Sequence, residues 1–334
     1  MAPFKSTGGL SVGKLLGVFR NRDLTLNSSE RTNRWVPPPS EYTQASGGLT
    51  YTPGNGYKYH VFSYPNSDTF TVDQVGYGTP TIEVFLVGGG ASSNGPYGHG
   101  GGGGGGIVYA TTVPISRTSY SVTVGNGGQG GGNPGQQTTA LGLTALGGGG
   151  YDPGKSPTYV AGADGGSGGG GTGLATQPTQ PQPLPAPSYT QYGNNGGTGS
   201  AGSGSAGGGG AGEAGGSYPP YTQGGAGAKG GNGQPFPQFA YPLVGLSPLI
   251  PVAKSPTNDH YGGGGGGWGY SGTNPNGGYG GGGDGFAYSA GPYHQSGVNK
   301  LGGGAGHWIT PIPAPNEVDR NGGSGIAIIR YVYA

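Results

Sequence analysis

Gly100 to Gly106 run without a break into Ile107-Val-Tyr-Ala-Thr-Thr-Val113. A stretch with no side chains thus borders one rich in β-branched and aromatic residues, and the fold turns on how the first kind is ordered. Of 334 residues 87 are Gly, and further runs at Gly147 to Gly150 and Gly262 to Gly267 alternate with segments rich in Pro and Tyr. Such recurrence reads as a repeat-type architecture. The glycine block is closed by Gly325-Ile-Ala-Ile-Ile-Arg-Tyr331. Glycine runs carry no functional groups, so they frame chemistry rather than perform it.

Composition narrows the choices. Apolar residues are 31% of the chain and charged residues 8%, against ~25% charged in ordinary globular domains. A large aliphatic core is not available. A net charge of +1 does not fit the high-charge route to disorder, yet the Gly and Pro content is that of low-complexity chains. Composition alone leaves order and disorder both open. Phosphate partners need clustered Lys and Arg; the basic residues after position 45 are dispersed, so no nucleic acid is expected. Cysteine is absent, which excludes disulfides and thiolate metal sites. Lys14 splits the apolar stretch Leu10 to Phe19, and no segment approaches the ~20 apolar residues of a membrane span. Neither membrane insertion nor an ordinary secretory signal is expected.

Residues 1–46 differ from the rest. They hold Lys5, Lys14, Arg20, Arg22, Arg31 and Arg34 and end near Trp35-Val-Pro-Pro-Pro39, a stiff extended punctuation. They read as a separate attachment segment or as a solvated arm. From Gly47 the period becomes two. Tyr57 to Phe62, Asp68 to Val72, Thr81 to Val87, Ile107 to Val113 and Ser119 to Val124 are short, β-branched and aromatic, and bounded by turn residues, as strands are. Ile326 to Tyr333 is almost wholly apolar, which predicts a central strand. No helical period appears, and glycine at this density opposes one.

The expected fold is all-β: a small β-sandwich formed by residues 47–150 plus 321–334, with a glycine-rich region, 151–320, inserted before the last strand. Fixing a residue costs about 1–2 kcal/mol and a hydrogen bond returns about 0.5–1.5 kcal/mol net, so one glycine strand alone stays flexible. Many such segments can order together as polyproline-II-like helices, with three residues per turn and ~3.1 Å rise. Backbones without Cβ approach closely enough to bond laterally, helped by Cα–H···O contacts. Non-glycine residues then fall to the rims and helix ends.

Chemistry-bearing motifs are weak. Thr81-Ile-Glu-Val-Phe-Leu-Val-Gly-Gly-Gly90 looks like a strand feeding a dinucleotide-binding turn, but no helix can start after it, so no cofactor is expected. His60, His99, His260, His294 and His307 are scattered without ligand spacing, so no metal is expected. Asp259-His260 and Glu317-Val-Asp319 read as surface loop residues. No set of nucleophile, base and orienting group assembles, and the chain is not expected to be an enzyme.

The aromatic loops carry the functional signal. Tyr189, Tyr192, Tyr218, Tyr221, Phe236, Phe239, Tyr241, Trp268, Tyr270, Tyr293, His294 and Trp308 sit among Gly, Ser, Asn, Gln and Pro. Antibody paratopes have this makeup, and such rings also stack on sugars. The alternative is that they pack on the flanks of the glycine block or on one another. Leu243-Val-Gly-Leu246 with Leu249-Ile250 is too apolar for a free loop, so this segment folds back or meets a partner.

Together, Tyr57-Lys-Tyr-His-Val-Phe62, Phe70-Thr-Val72, Ile82-Glu-Val-Phe-Leu-Val-Gly-Gly-Gly90, Gly106-Ile-Val-Tyr109, Tyr120-Ser-Val-Thr-Val-Gly-Asn-Gly-Gly128, Ala140-Leu-Gly-Leu-Thr-Ala-Leu-Gly-Gly-Gly-Gly150 and Asn321-Gly-Gly-Ser-Gly-Ile-Ala-Ile-Ile-Arg-Tyr331 resemble the glycine-rich domain of phage tail-fibre and adhesin proteins. The resemblance covers about residues 57 to 150 and the last 14 residues. It implies a β-framework carrying packed polyglycine helices whose exposed loops choose a bacterial receptor. The long Pro-rich stretches Gln177 to Tyr192 and Gln234 to Tyr261 depart from the family pattern. The implied function is a virion protein, a tail-fibre or tail-tip adhesin that touches a host surface protein or glycan through the aromatic residues named above. It would be made in the host cytoplasm and act outside the cell. Residues 1–46, with Phe4, Leu15, Phe19, Arg20 and Trp35, would join it to other virion proteins, and a homotrimer is an assembly this role allows. The competing class is a decoration, collar or connector subunit whose loops bind sister subunits.

Overall fold

The computed structural model describes residues 42–65, 67–77, 80–93, 100–150, 166–171, 189–199, 204–218, 227–247, 254–269, 272–287, 295–307 and 320–333. The strands are β1 (Gln44–Ser46), β2 (Leu49–Tyr51), β3 (Tyr57–Ser63), β4 (Ser67–Gln74), β5 (Thr81–Val87), β6 (Ile107–Pro114) and β7 (Ser119–Thr123). They continue with β8 (Thr138–Ala140), β9 (Leu143–Ala145), β10 (Tyr189–Tyr192), β11 (Gln234–Pro235), β12 (His260–Tyr261) and β13 (Ile326–Val332). A five-stranded sheet has the order β1-β4-β7-β8-β9, a six-stranded sheet the order β10-β6-β5-β13-β3-β2, and β11 pairs with β12. The fold is all-β, and two short 3-10 turns, Pro237–Phe239 and Tyr241–Val244, lie between β11 and β12.

Period two sorts the side chains of the larger sheet. Ile82, Val84 and Leu86 of β5 and Ala327, Ile329 and Tyr331 of β13 face the core between the sheets, where they meet Phe70, Val72, Val122 and Leu143. Their alternates, Phe85, Val87, Ile326 and Ile328, face a second core on the opposite side. β13 is central, between β5 and β3, as its apolar sequence predicts. Buried on both faces, it needs two covers. The five-stranded sheet is one, and the segment through the two 3-10 turns is the other.

Beyond the ladders the strands do not stop; their period changes from two to three. The pair Val87↔Ile107 of β5 and β6 is followed by Gly88 N–H donating to Gly106 O and Ala91 N–H to Gly103 O, both at 2.9 Å. The pair Val87↔Ile326 of β5 and β13 is followed by Gly90 N–H to Gly323 O and Ser93 N–H to Arg320 O. Each ladder thus keeps its antiparallel register, but successive donors now turn to different neighbours. The segments are polyglycine-II helices, which have three residues per turn and no internal hydrogen bonds.

Gly100 to Gly106 lie at the centre of this lattice, all buried. Gly101 and Gly104 donate to Ala206 and Gly209, Gly102 and Gly105 to Ala305 and Gly302, and Gly103 and Gly106 to Gly149 and Leu146. The same helix accepts from Gly88 and Ala91, from Ser167 and Gly170, and from Gly265. It therefore donates to three neighbouring helices and accepts from three others, the surroundings of a hexagonal packing. Side chains are shut out by distance: a Cβ on Gly105 would lie 1.9 Å from Gly88 O, and on Gly101 2.1 Å from Gly265 O, where ordinary contact is about 3.5–4.0 Å.

Two expected boundaries shift. Residues 88–93, 100–106 and 147–150 belong to the lattice rather than to the sandwich, while β10 lies within 151–320 yet pairs with β6. Residues 44–46 form β1, paired with β4, and so belong to the scaffold rather than to the N-terminal segment. Sandwich and lattice are one continuous body, because the strands of the first are the helices of the second.

His60 is fully buried between the sheets. Its Nδ1 is 2.7 Å from Gly47 O and so carries the proton, and Nε2, 3.1 Å away, accepts from the Tyr331 hydroxyl. Phe70 meets the ring edge-on and Tyr331 stacks on it. Burial, against the opposing hydrogen bond to Gly47, lowers its pKa from 6.5 to about 4.

Two outcomes are expected. Gly105→Ala should destabilise the chain by more than about 3 kcal/mol, since rigid backbone rather than a side chain must move. Gly54→Asn, at a φ of 84° with open space around it, should be nearly neutral, because Asn tolerates the left-handed region; thermal melts compare the two. For His60, the unfolded chain binds a proton near pH 6.5 and the folded chain only near pH 4. Its contribution is therefore full above pH 6.5 and falls by roughly 3 kcal/mol as the pH drops toward 4. Melts across that window should show this loss in the native chain and a smaller one in His60→Gln.

Candidate functional site

Among the described residues, most of the rings that read as exposed loop residues are interior. Phe236, Phe239 and Tyr241 are 3%, 0% and 1% exposed. They lie on the outer face of the six-stranded sheet because Phe85 at its centre needs a cover: Phe85 stacks on Phe239 at 4.6 Å and meets Phe236 at 4.7 Å and Tyr261 at 5.0 Å. Val244 and Leu246 join the same core, with Leu243 packed against it, so the apolar segment folds back onto its own chain. The receptor contact expected of these three rings is replaced by a structural role.

A polar clamp fixes this cover. Arg330 of β13 bonds Glu83 of β5 through Nε and Nη2 at 3.1 and 2.8 Å, and its Nη1 reaches Gln238 O at 3.2 Å and Tyr59 Oη at 3.3 Å. The Tyr109 hydroxyl donates to the same Glu83 carboxylate at 2.5 Å. Burial, and then this bond to Glu83, pushes the Tyr109 hydroxyl up to about 12. The Arg330 guanidinium also lies over the Tyr57 and Phe239 rings, 4.3 and 5.0 Å from their centroids, a cation–π arrangement. Tyr261 Oη donates to Phe239 O at 2.6 Å, and Tyr241 Oη to His260 O. Burial pushes both hydroxyls upward, so neither ionises to serve as a base at neutral pH.

Tyr218 and Trp268 are buried too, at 3% and 5% exposure. The Tyr218 ring lies flat against Gly204, where a Cβ would sit 2.5 Å from Cε2, and Trp268 packs with Phe286. Both flank the glycine lattice, which corrects their expected receptor contact. Tyr189 and Tyr192 are half-buried on β10, an edge strand rather than a loop, and Tyr192 meets Phe236 at 5.4 Å. Asp259, expected in a surface loop, is buried and accepts from Thr257 Oγ1 at 2.5 Å. Tyr221, Tyr270, Tyr293, His294 and Trp308 lie outside the described residues, as do Phe4, Leu15, Phe19, Arg20 and Trp35.

The lattice nonetheless decides where the chain carrying those five remaining positions departs. Gly106 leads into β6, so Gly101 marks the end of the central helix away from the sandwich. Gly101 N–H donates to Ala206 O beside Ser205; Ser205 N–H donates to Trp268 O, and Gly269 N–H to Phe286 O. His307 N–H donates to Gly266 O, Gly306 N–H to Gln295 O, and Ser93 N–H to Arg320 O. Tyr218 against Gly204, and Ala228 bonded to Ser205, reach the same level. Residues 218 and 227, 269 and 272, 287 and 295, and 307 and 320 thus all lie at one end. Between these pairs run the stretches bearing Tyr221, Tyr270, Tyr293 with His294, and Trp308. Sequence order alone gives no hint that they start and finish together.

Among the described residues no group of three or more His, Cys, Asp or Glu could hold a metal, and no helix is long and apolar enough to cross a membrane. No curated protein shows significant sequence similarity to the chain. The model of one family, described as a glycine-rich domain, matches residues 66–332. That span takes in β4 to β13 together with the whole lattice between them, so the likeness extends through the insertion as well as the strands that frame it. With most of its length matched, the chain belongs to the glycine-rich domain family.

Proposed function

We propose that this protein is a phage virion adhesin, a tail-fibre or tail-tip subunit that binds a host surface protein or glycan and performs no chemistry of its own. The observation that carries this reading is the common end of the lattice from which the stretches bearing Tyr221, Tyr270, Tyr293, His294 and Trp308 depart. Tyr, Trp and His interspersed with Ser, Gly and Asn give contact area at low entropic cost with adaptable hydrogen bonding. A frame whose own amides are laterally bonded holds the roots of such loops in place, which lowers the ordering cost of binding. Loops of this kind vary in sequence without disturbing the scaffold. Residues 1–41 would attach the protein to its particle. The competing role is a structural subunit whose loops contact sister subunits.

Replacing residues 288–294 and 308–319 with Gly-Ser linkers separates the two. Under the adhesin reading the melting temperature is unchanged, particles carrying the chain assemble, and their adsorption to the host is lost. Failed assembly with a folded chain would instead assign the structural role.

A further inference from the structure

A groove of about 480 Å³ opens along the last glycine segments before β13, among Tyr64, Asn126, Gln129, Asn299, Lys300 and Asn321. Its volume falls within the ~300–1,000 Å³ of small-ligand pockets. The lining is brought together from the turn after β3, from the lattice segment that follows β7, and from the last two glycine segments before β13. No carboxylate lines it, and four of these six side chains are carboxamides. We propose that this groove binds an acidic saccharide, a short oligosaccharide with uronic-acid units.

The local bonds orient the amides. Asn299 Oδ1 accepts from Ser324 N–H at 3.0 Å, and Asn321 Oδ1 accepts from Gly130 N–H at 2.8 Å. In each case the acceptor end is engaged within the chain and the NH2 end is left to donate outward. Gln129 is held the other way: its Nε2 donates to Gly127 O at 2.8 Å, so its Oε1 can accept from a ligand hydroxyl. Lys300 stands in the left-handed region at a φ of 68°, with its backbone N–H bonded to Ser324 Oγ at 3.1 Å. It forms no ion pair among the described residues. Tyr64, 41% exposed, supplies a ring on which the C–H face of a pyranose can lie.

Together these groups offer more donors than acceptors, one cation and one aromatic face. Sugar hydroxyls match the carboxamides, and a carboxylate satisfies Lys300 through a charge-assisted bond. A phosphate-rich ligand is a poorer match, because a single Lys without Arg gives little backbone neutralisation. The groove stands on its own geometry and does not depend on the role proposed for the aromatic stretches.

The test titrates the full chain with digalacturonic acid, with uncharged galactobiose, and with citrate, which carries carboxylates but no ring, following binding by saturation-transfer NMR and calorimetry. Digalacturonic acid should bind in the millimolar range or tighter. Galactobiose should bind about tenfold more weakly, as expected for loss of one hydrogen bond to a charged group. Lys300→Asn keeps a residue that tolerates the left-handed backbone and should cost the same factor for digalacturonic acid while leaving galactobiose unchanged. Gln129→Ala, on an exposed residue, should weaken both sugars without altering the melt. Absence of digalacturonic acid binding, equal binding of citrate, or a Lys300→Asn variant that binds as the native chain does would each overturn the proposal.

Discussion

The missing Cβ is what the whole structure depends on. At Gly105, Gly127 and Gly278 a neighbouring carbonyl oxygen occupies the place where a side chain would begin, at 1.8 to 1.9 Å. That approach lets a central helix such as Gly100 to Gly106 donate and accept laterally on all sides, so the backbone polar groups of a buried segment are satisfied with neither an α-helix nor a sheet. The cost is conformational: glycine gives up more freedom on folding than any other residue. One lateral bond per residue does not clearly outweigh it, and the block needs help to order.

The sandwich provides that help. Its ladders fix the ends and register of the segments that enter the lattice: β5 with β6, β5 with β13, and β8 with β9, where Thr138↔Ala145 is followed by Gly135 N–H to Gly148 O. The apolar strands thereby align glycine backbones that have no side chains with which to choose a register. The dependence runs both ways. The segment Gln234–Leu246, bounded by glycine helices, returns to cover the outer face of the six-stranded sheet, and the Arg330–Glu83 pair clamps it there. A residue such as Phe239 is therefore part of the scaffold although it sits between two stretches of lattice.

How legible was this in the sequence? Strands β3 to β7 and the central place of β13 follow from β-branched and aromatic runs bounded by turns. The three-residue helical packing follows from elementary sterics of glycine, although its entry as early as Gly88 does not. β10 was not visible, because Tyr189-Thr-Gln-Tyr192 reads as loop and owes its strand to the free edge of β6. The aromatic residues mislead for a physical reason. Tyr and Phe among Pro and Gly look exposed wherever no regular element is expected, and a glycine lattice offers grooves that accept flat rings, as Gly204 accepts Tyr218. The sequence does carry one signal of this packing: β5 and β13 are apolar on both faces, which requires a second cover, and Phe236-Pro-Gln-Phe239 with Leu243-Val-Gly-Leu246 is the apolar segment able to supply it. The amide-lined groove was beyond sequence reading, since Asn126, Gln129, Asn299, Lys300 and Asn321 become neighbours only through the lattice topology.

The central claim is that the side-chain-free backbone is a rigid, hydrogen-bonded body. Amide hydrogen exchange of Gly101 to Gly106, compared with Ile326 to Tyr331 in the same protein, tests it most directly, because every one of those glycine N–H groups donates to a carbonyl. The account predicts protection of the glycine amides approaching that of β13. Exchange of Gly101 to Gly106 at the rate of an unstructured peptide, with β13 still protected, would contradict it.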